Sequence, residues 1–460
     1  MTDPIPRPTF RDPAGSLGFE GDHVVRRIHP AARVAVLEFL DSAFCHRLQE
    51  RGDLIAATID DSQEGLCLVH PKIPIPTYPW EWSPSQWLAA AELTLTLCEE
   101  ALGDGWILKD ATPLNVLFVG PRPVLVDILS FERRDPRSMI WLAYGQYVRT
   151  FLLPMVMNKR MGWPLEMSLF KRDGLEPADL FAAMGWRDRI SRDAFWPVTL
   201  PALLERSKGA EEKATQAPRR VSDPGMALHG LQRLLAGLRK RTRRALPKPD
   251  ASRWSKYQGT LTHYTEQESA LKHEWVRDVL AEAKPARVLD IGANTGEFSA
   301  LAVEMGAQAV ALERDAASAE RLFCMSRQRN LSIQTIHADL ARPTPAAGWE
   351  NSESSALLPR LEGQFELVLM LAVIHHLLLM EQIPLPAIIA LCHRLTWRHL
   401  VIEWVPVEDP MYRSLMRGRN ELYGALSEDD LIAACKGLFH VLRRQKLDNG
   451  RVLFLFERKG

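Results

Sequence analysis

The stretch Arg287-Val288-Leu289-Asp290-Ile291-Gly292-Ala293-Asn294-Thr295-Gly296-Glu297-Phe298 decides how the C-terminal half of this chain is read. An apolar run that ends in an acid and a glycine-bearing turn is the pattern of a buried parallel strand feeding a helix. Gly292 and Gly296 lack a Cβ, which suits a place where a ligand comes close to the backbone. The following helix is expected to stop at Gly306. A second apolar run, residues 309–312, ends in Glu313, 23 residues after Asp290. An acid at the tip of the second strand is placed to chelate the two hydroxyls of an adenosine ribose.

More strands follow in the same rhythm. Residues 332–337 lead into Asp339, placed to meet an adenine amino group. Residues 365–371 form an apolar fourth strand and residues 399–404 a fifth. The last two runs, 439–447 and 451–457, flank Asp448-Asn449-Gly450, and Asn-Gly between β-rich runs is a strong hairpin signal. A dinucleotide-binding oxidoreductase would share much of this geometry. Its turn, however, carries a G-x-G pair that seats a pyrophosphate on the helix end, and Gly292-Ala-Asn-Thr-Gly296 has none. Asp290 would also repel a pyrophosphate. A ligand bearing a cation and an α-amino group matches better, and S-adenosylmethionine is such a ligand.

Residues 286–460 thus resemble the class I S-adenosylmethionine-dependent methyltransferase superfamily, through the DxGxxxG loop, Glu313, Asp339 and the terminal hairpin. More narrowly, Leu371-Ala-Val-Ile-His-His-Leu377, Ile402-Glu-Trp-Val-Pro406 and Asp409-Pro410 resemble a bacterial two-part, nodulation-protein-related group. The long connection 342–364, with Gly348-Trp349, is similar to that group too. Glu313 departs from it, since Asp is more usual there. The resemblance implies that Asp290, Gly292 and Gly296 cradle the methionine end, with Asn294 among the cofactor-binding residues. It implies Glu313 for the ribose and Asp339 for the adenine.

Methyl transfer is a displacement whose catalysis is mostly alignment, and a base is needed only if the acceptor must lose a proton. His375 and His376 follow strand four at the carboxyl edge of the sheet, where ligands bind. With an ordinary pKa of ~6.5, either histidine can take a proton, or one can instead cap a helix or pack in the core. Glu403, at the tip of strand five, faces the cleft by position and completes the catalytic candidates. Glu408 and Asp409 read as solvated loop acids, and Trp349 and Arg360 as an exposed loop rather than an acceptor pocket. Ser427-Glu-Asp-Asp430 is a capping-box helix start.

In the N-terminal half, Leu108-Lys109-Asp110-Ala111-Thr112-Pro113-Leu114-Asn115-Val116-Leu117-Phe118 precedes Pro123-Val-Leu-Val-Asp127-Ile128. Asp-x4-Asn before a strand, a turn, then a strand ending in Asp resembles the catalytic segment of kinase-like phosphotransferases. That resemblance implies Asp110 as the base that orients an acceptor hydroxyl, and Asn115 and Asp127 as magnesium ligands. Lys109 departs from the usual His or Arg, and Ile128-Leu129 from Phe-Gly. Gly15, Gly18 and Gly21 can imitate a phosphate-covering loop, but no convincing lysine follows on a third strand, so Arg26 or Arg27 would have to serve. An active kinase, a degenerate scaffold that binds the acceptor, and chance all remain open, and the departures favour the scaffold. Tyr78-Pro79-Trp80-Glu81-Trp82 reads as an aromatic acceptor surface or as a buried interdomain plug.

Between the halves, the segment around 224–246 has Leu228, Leu231, Leu234, Leu235 and Leu238 at helical spacing. Arg239, Lys240, Arg241, Arg243 and Arg244 crowd its end. That pattern fits a contact with RNA or an anionic surface, or a solvated linker helix whose cations favour its own C-terminal end. The domain expectation is a degenerate kinase-like domain at 1–205, a basic helical linker at 206–252 and a class I methyltransferase domain at 253–460. The expected fold is α/β, a Rossmann-like sheet ending in an antiparallel hairpin, preceded by an α+β kinase-like domain.

At 460 residues and 52.0 kDa the chain is long enough for two or three cores. Lys+Arg and Asp+Glu both total 57, which argues against a nucleic-acid coat protein. Six scattered cysteines without a CxxC pair suit a reducing compartment, and no run reaches the ~20 apolar residues of a membrane span. The expectation is a cytoplasmic enzyme that methylates an oxygen or nitrogen of a small-molecule or glycan-type acceptor, with no resident metal. The rival is a phosphotransferase or nucleotide-binding regulator whose methyltransferase domain senses the methyl donor.

Overall fold

A computed structural model of the chain describes residues 12–60, 65–205, 220–247, 265–416 and 426–460. The chain divides into two units. Unit 1 comprises Met1–Lys248 with Ala346–Ser355, and unit 2 comprises Pro249–Pro345 with Ala356–Gly460.

Unit 1 is α+β. Strands β1 (Gly15–Glu20), β2 (His23–Ile28), β3 (Thr58–Asp60) and β4 (Leu66–Pro71) form an antiparallel sheet in the order β1-β2-β4-β3. Gly21, at φ 58°, turns β1 into β2, so Gly15, Gly18 and Gly21 belong to one hairpin. The helix Pro84–Gly103 opens on a Ser83–Gln86 capping box and buries Trp87, Leu95, Leu97 and Cys98. Two short ladders follow it. β5 (Trp106–Leu108) pairs with β8 (Phe131–Arg133), and β6 (Val116–Val119) pairs with β7 (Arg122–Leu125), both antiparallel.

Trp80 and Trp82 are buried in the core of unit 1. Trp82 donates its indole N–H to Thr77 Oγ1 at 3.0 Å and meets Phe118 edge-on at 5.1 Å. These aromatics therefore form no exposed acceptor surface.

The helix Pro224–Ala245 also belongs to unit 1 and is not a free linker. Leu231, Leu235 and Leu238 are buried, and Thr242 Oγ1 bonds the hydroxyl of Tyr147 at 2.9 Å. Part of its basic end is paired internally. Arg239 reaches Glu99 at 2.7 Å, Arg243 bonds Glu92, and Arg244 lies 3.9 Å from Asp193. A leucine stripe buries its apolar face, and Arg239, Arg243 and Arg244 beside it meet acids of the same unit. Residues 206–219 and 248–252 of the expected linker lie outside the described residues.

Unit 2 holds a seven-stranded sheet. Strands β9 (Arg287–Ile291), β10 (Gln308–Glu313), β11 (Ile333–His337), β12 (Phe365–Met370) and β13 (Thr396–Trp404) are parallel neighbours. β14 (Phe439–Lys446) and β15 (Val452–Arg458) form the hairpin, and β15 pairs antiparallel with β13. The order is β11-β10-β9-β12-β13-β15-β14, a Rossmann-like sheet with a terminal hairpin. Gly450, at φ 84°, closes the turn that Asn449-Gly450 announces.

The core shows why strands β9 and β12 read as continuous apolar runs. Trp275, Val276, Val279 and Leu280 of the helix Glu266–Ala283 cluster with Val288, Leu367, Leu369 and Val401. Parallel strands covered on both faces have no solvent side to make polar. Asp290 is the exception inside β9, and it marks the site.

All six cysteines are free thiols. Among the described residues, no helix is long and apolar enough to cross a membrane.

Candidate functional site

The strand order of unit 2 reverses between β9 and β12, which run side by side while β10 and β13 lie beyond them. In open α/β sheets such a reversal opens a crevice at the carboxyl ends of the strands. A cavity of ≈ 460 Å³ lies there, lined by Asp290, Gly292, Asn294, Glu313 and Asp339 from the strand tips and turns.

Asp290 is 3% exposed and its Oδ2 accepts the Ser299 hydroxyl at 2.6 Å. Burial pushes its carboxyl up to about 6, against the lowering pull of that bond and of the Lys272 charge. Glu313 spans the turn. Its Oε2 accepts the Asn294 backbone N–H at 2.6 Å and its Oε1 that of Asp315 at 2.6 Å. Burial raises its pKa, offset in part by those two bonds. A carboxylate has about four lone-pair sites, so two backbone donors leave acceptor capacity for a ligand's hydroxyls. Asp339 also lines the cavity, with Oδ2 3.0 Å from Nη1 of Arg342 and 3.7 Å from Nε of Arg314.

Gly292 lines the cavity, and both Gly292 and Gly296 also make room for the protein's own side chains. A Cβ at Gly292 would stand 2.3 Å from Cγ2 of Val373, and one at Gly296 2.9 Å from Cγ of Leu322. The glycines thus let protein side chains approach the turn. Gly296 does not line the cavity. It caps the helix Glu297–Glu304 from the left-handed region at φ 90°. Asn294 takes φ 50° and accepts the Ser318 hydroxyl at 3.1 Å, a conformation Asn tolerates better than most residues.

Residues 262–387 match the family described as Methyltransferase domain. That match lies in the C-terminal half of the chain. The whole chain is similar to the nodulation protein NoeA of Rhizobium meliloti (strain 1021), 29% identical over 482 residues, covering 98% of this chain and 97% of that protein. Among solved structures, the N-methyltransferase NodS from Bradyrhizobium japonicum WM9 is 15% identical. It covers 42% of this chain and 98% of its own, with a TM-score of 0.31. Magnesium protoporphyrin IX methyltransferase (ChlM) from Synechocystis PCC 6803 with bound SAH is also 15% identical. It covers 49% of this chain and 95% of its own, with a TM-score of 0.32.

In unit 2 the three catalytic candidates part company. His376 lines the cavity, and burial lowers its pKa to about 4, so it is neutral at pH 7. His375, on the helix Ile374–Leu379, does not line the cavity and is buried. Neither of its ring nitrogens has a hydrogen-bond partner among the described residues, and burial first, then His376, hold its pKa well below the ordinary value. The two rings lie 4.2 Å apart. Glu403 is fully buried, outside the cavity lining. Its Oε2 accepts from Lys272 Nζ at 2.7 Å and its Oε1 from Arg451 at 3.3 Å. Both of its oxygens bond cations inside the unit, so Glu403 does not face the cleft as a base.

Asp409 is likewise not a solvated loop acid. It is buried, bonds Arg451 Nε at 2.9 Å, and accepts the Met411 backbone N–H at 2.8 Å. Trp349 is exposed and lies in Ala346–Ser355, a part of unit 1, while Arg360 is buried and donates to the Ala356 carbonyl. Neither lines the cavity. Sequence reading passed over Ser269, Lys272 and Phe298, which line its Asp290 end. A buried Lys ahead of the first strand was the available signal.

In unit 1, Asp127 gathers the expected residues. Its Oδ1 accepts from Arg26 Nη1 at 2.8 Å, and its Oδ2 from the Ser130 hydroxyl at 2.6 Å and Asn115 Nδ2 at 3.4 Å. Burial and the Asp127 charge raise the pKa of Asp110. Arg27 instead pairs with Glu20 at the surface. Among the described residues, no group of three or more His, Cys, Asp or Glu is arranged to hold a metal ion.

Proposed function

We propose that unit 2 is a class I methyltransferase that takes S-adenosylmethionine in its cavity. The observation that carries this reading is the row of acids, Asp290, Glu313 and Asp339, along one crevice at the strand-order reversal. Such a cavity suits a cationic nucleoside. Asp290 and the Gly292 turn would hold the methionine end, Glu313 the ribose and Asp339 the adenine. When bound, the sulfonium supplies an electrophilic methyl group.

The chain's own part is alignment and exclusion of water. Leu371, Val373, Leu377 and Met380 wall the cavity with apolar surface. His376, neutral at pH 7, lies at the wall as a candidate proton acceptor for a hydroxyl or amine. The acceptor is a small molecule or glycan-type metabolite methylated on oxygen or nitrogen, a choice that rests on the likeness to two-part bacterial proteins. The test is donor consumption by the full chain against fractionated metabolites, polysaccharide and RNA. Consumption with the first two supports the reading, consumption with RNA alone overturns the acceptor class, and none with any fraction overturns the activity.

A second reading concerns unit 1. The ion pair of Arg26 with Asp127 puts a guanidinium on the carboxylate that a kinase-like site would offer to magnesium. That supports a kinase-like scaffold that binds acceptor without phosphoryl transfer. Magnesium-ATP binding by the full chain, lost in Asp127→Ala, would restore the phosphotransferase rival.

A further inference from the structure

Residues 186–204 of unit 1 carry large apolar side chains that its core does not take up. Trp186 is 67% exposed, Ile190 65%, Trp196 56% and Leu203 50%. Their backbone is held: the Phe195 N–H donates to the Ser191 carbonyl at 2.8 Å, and the Thr199 hydroxyl to the Arg189 carbonyl at 2.6 Å. The helical turns Phe195–Thr199 and Leu200–Glu205 bury Val198 and Ala202 on one side. Trp196 and Leu203, seven residues apart, are left on the other. Single exposed apolar residues are ordinary, but several large ones on one stretch mark an interaction surface.

Cations stand among them. Arg187 lies 5.2 Å over the ring of Trp186. Arg241, from the helix Pro224–Ala245, lies 5.9 Å over the ring of Trp196, which brings that helix to the patch. Arg239, Arg243 and Arg244 turn to Glu99, Glu92 and Asp193. Arg187, Arg192, Lys240 and Arg241 have no ion-pair partner among the described residues. The helix itself holds no acid. In residues 186–204 the acids are Asp188 and Asp193, and Asp193 is buried and paired with Lys159 at 3.2 Å.

We propose that this face docks the protein on an anionic lipid surface. Trp186, Ile190, Trp196 and Leu203 enter the boundary between headgroups and acyl chains, and Arg187, Arg192, Lys240 and Arg241 meet lipid phosphates. Charge complementarity selects the partner, since each Lys or Arg beside an anionic bilayer strengthens binding by about fivefold. Indole rings favour the membrane interface, and aliphatic side chains gain there by leaving water. Single-stranded RNA would use the arginines and indoles, but Ile190 and Leu203 present it no flat face for a base. A second copy of the chain fits worse, because two-fold pairing sets the same cations opposite one another. The contact is peripheral and does not depend on what unit 2 binds.

Flotation of the full chain tests this with vesicles of phosphatidylglycerol and phosphatidylcholine in equal parts, beside vesicles of phosphatidylcholine alone. The wild type should bind the anionic vesicles at least about tenfold more tightly, and less so as salt rises. Lys240→Gln with Arg241→Gln should weaken that binding by about tenfold or more. Trp186→Ser with Trp196→Ser should weaken it at least about fivefold, a loss that a purely electrostatic contact would not show. Where the tryptophan pair melts below the wild type, Ile190→Ser carries the same two outcomes. Equal binding to both vesicles, or variants that float like the wild type, overturns the proposal. A wild type that binds single-stranded RNA but no vesicle also overturns it. So does a dimer that Trp196→Ser dissolves, if no vesicle is bound.

Discussion

The hydroxyl of Ser299 donates to Oδ2 of Asp290 at 2.6 Å, so the acid inside β9 is tied to the helix that follows its own turn. That bond favours the carboxylate form, while burial opposes it and wins, holding Asp290 at about 6. The folded-state pKa is thus above the unfolded value of 3.8. Stability from this proton is present below the unfolded value and is lost as pH rises through about 6. The α-ammonium of a bound ligand needs the ionised form as its partner. Affinity for S-adenosylhomocysteine should therefore rise up to about tenfold per pH unit from pH 5 to 6 and level off above pH 7. Calorimetry across that range checks it, and Asp290→Asn should flatten the profile.

Ser299→Ala removes a side-chain hydrogen bond to Asp290 that opposes burial. The Asp290 pKa should climb further, moving the plateau of the binding profile to higher pH. Loss of a buried bond to a charged group should also cost about 1–3 kcal/mol of unfolding free energy, read from urea melts of the full chain.

Glu313→Ala strips acceptors from the backbone N–H groups of Asn294 and Asp315 at once. Both donors would be left without that carboxylate, so the turn should loosen as well as lose its contact with a ribose. The expected loss in affinity for S-adenosylhomocysteine is about 100-fold, with Glu313→Gln intermediate because its carbonyl oxygen serves one donor only.

Gly292→Ala places a Cβ 2.3 Å from Val373 Cγ2 at a φ of 70°. The clash and the left-handed backbone should together destabilise unit 2 by about 2–4 kcal/mol in thermal or urea melts. Val373→Ala on the same chain should recover part of the loss. The backbone share, about 1–2 kcal/mol, should remain.

Arg26→Ala leaves Asp127 without its cation. Breaking this largely buried pair should cost about 3 kcal/mol in the melt of the full chain. Asp127→Asn with Arg26→Ala should cost less than the single change.

What sequence could disclose here was local. The strands β9 to β12, the Asn449-Gly450 hairpin and the Ser427 capping box each announce themselves within ten residues, because apolar periodicity, turn residues and caps act over short range. The acids Asp290, Glu313 and Asp339 followed from strand ends. Side-chain partners did not follow. Val373 explains Gly292 from 81 residues away, and Glu403, which by strand position faces the cleft, lies against Lys272, 131 residues earlier. The arginines of the helix Pro224–Ala245 read as a free charge run because Glu92 and Glu99 are some 140 residues upstream. His375 and His376 look equivalent as a pair, yet the step of about 100° between successive helix residues points them to different surroundings.

The most direct measurement of the central claim is a calorimetric titration of S-adenosylhomocysteine into the full chain at pH 7.5, beside the Asp290→Ala variant with its fold checked by circular dichroism. The expected result is one binding site per chain, weakened at least about tenfold in the variant. A wild-type chain that takes up no ligand, or a variant that binds as tightly as the wild type, would contradict it.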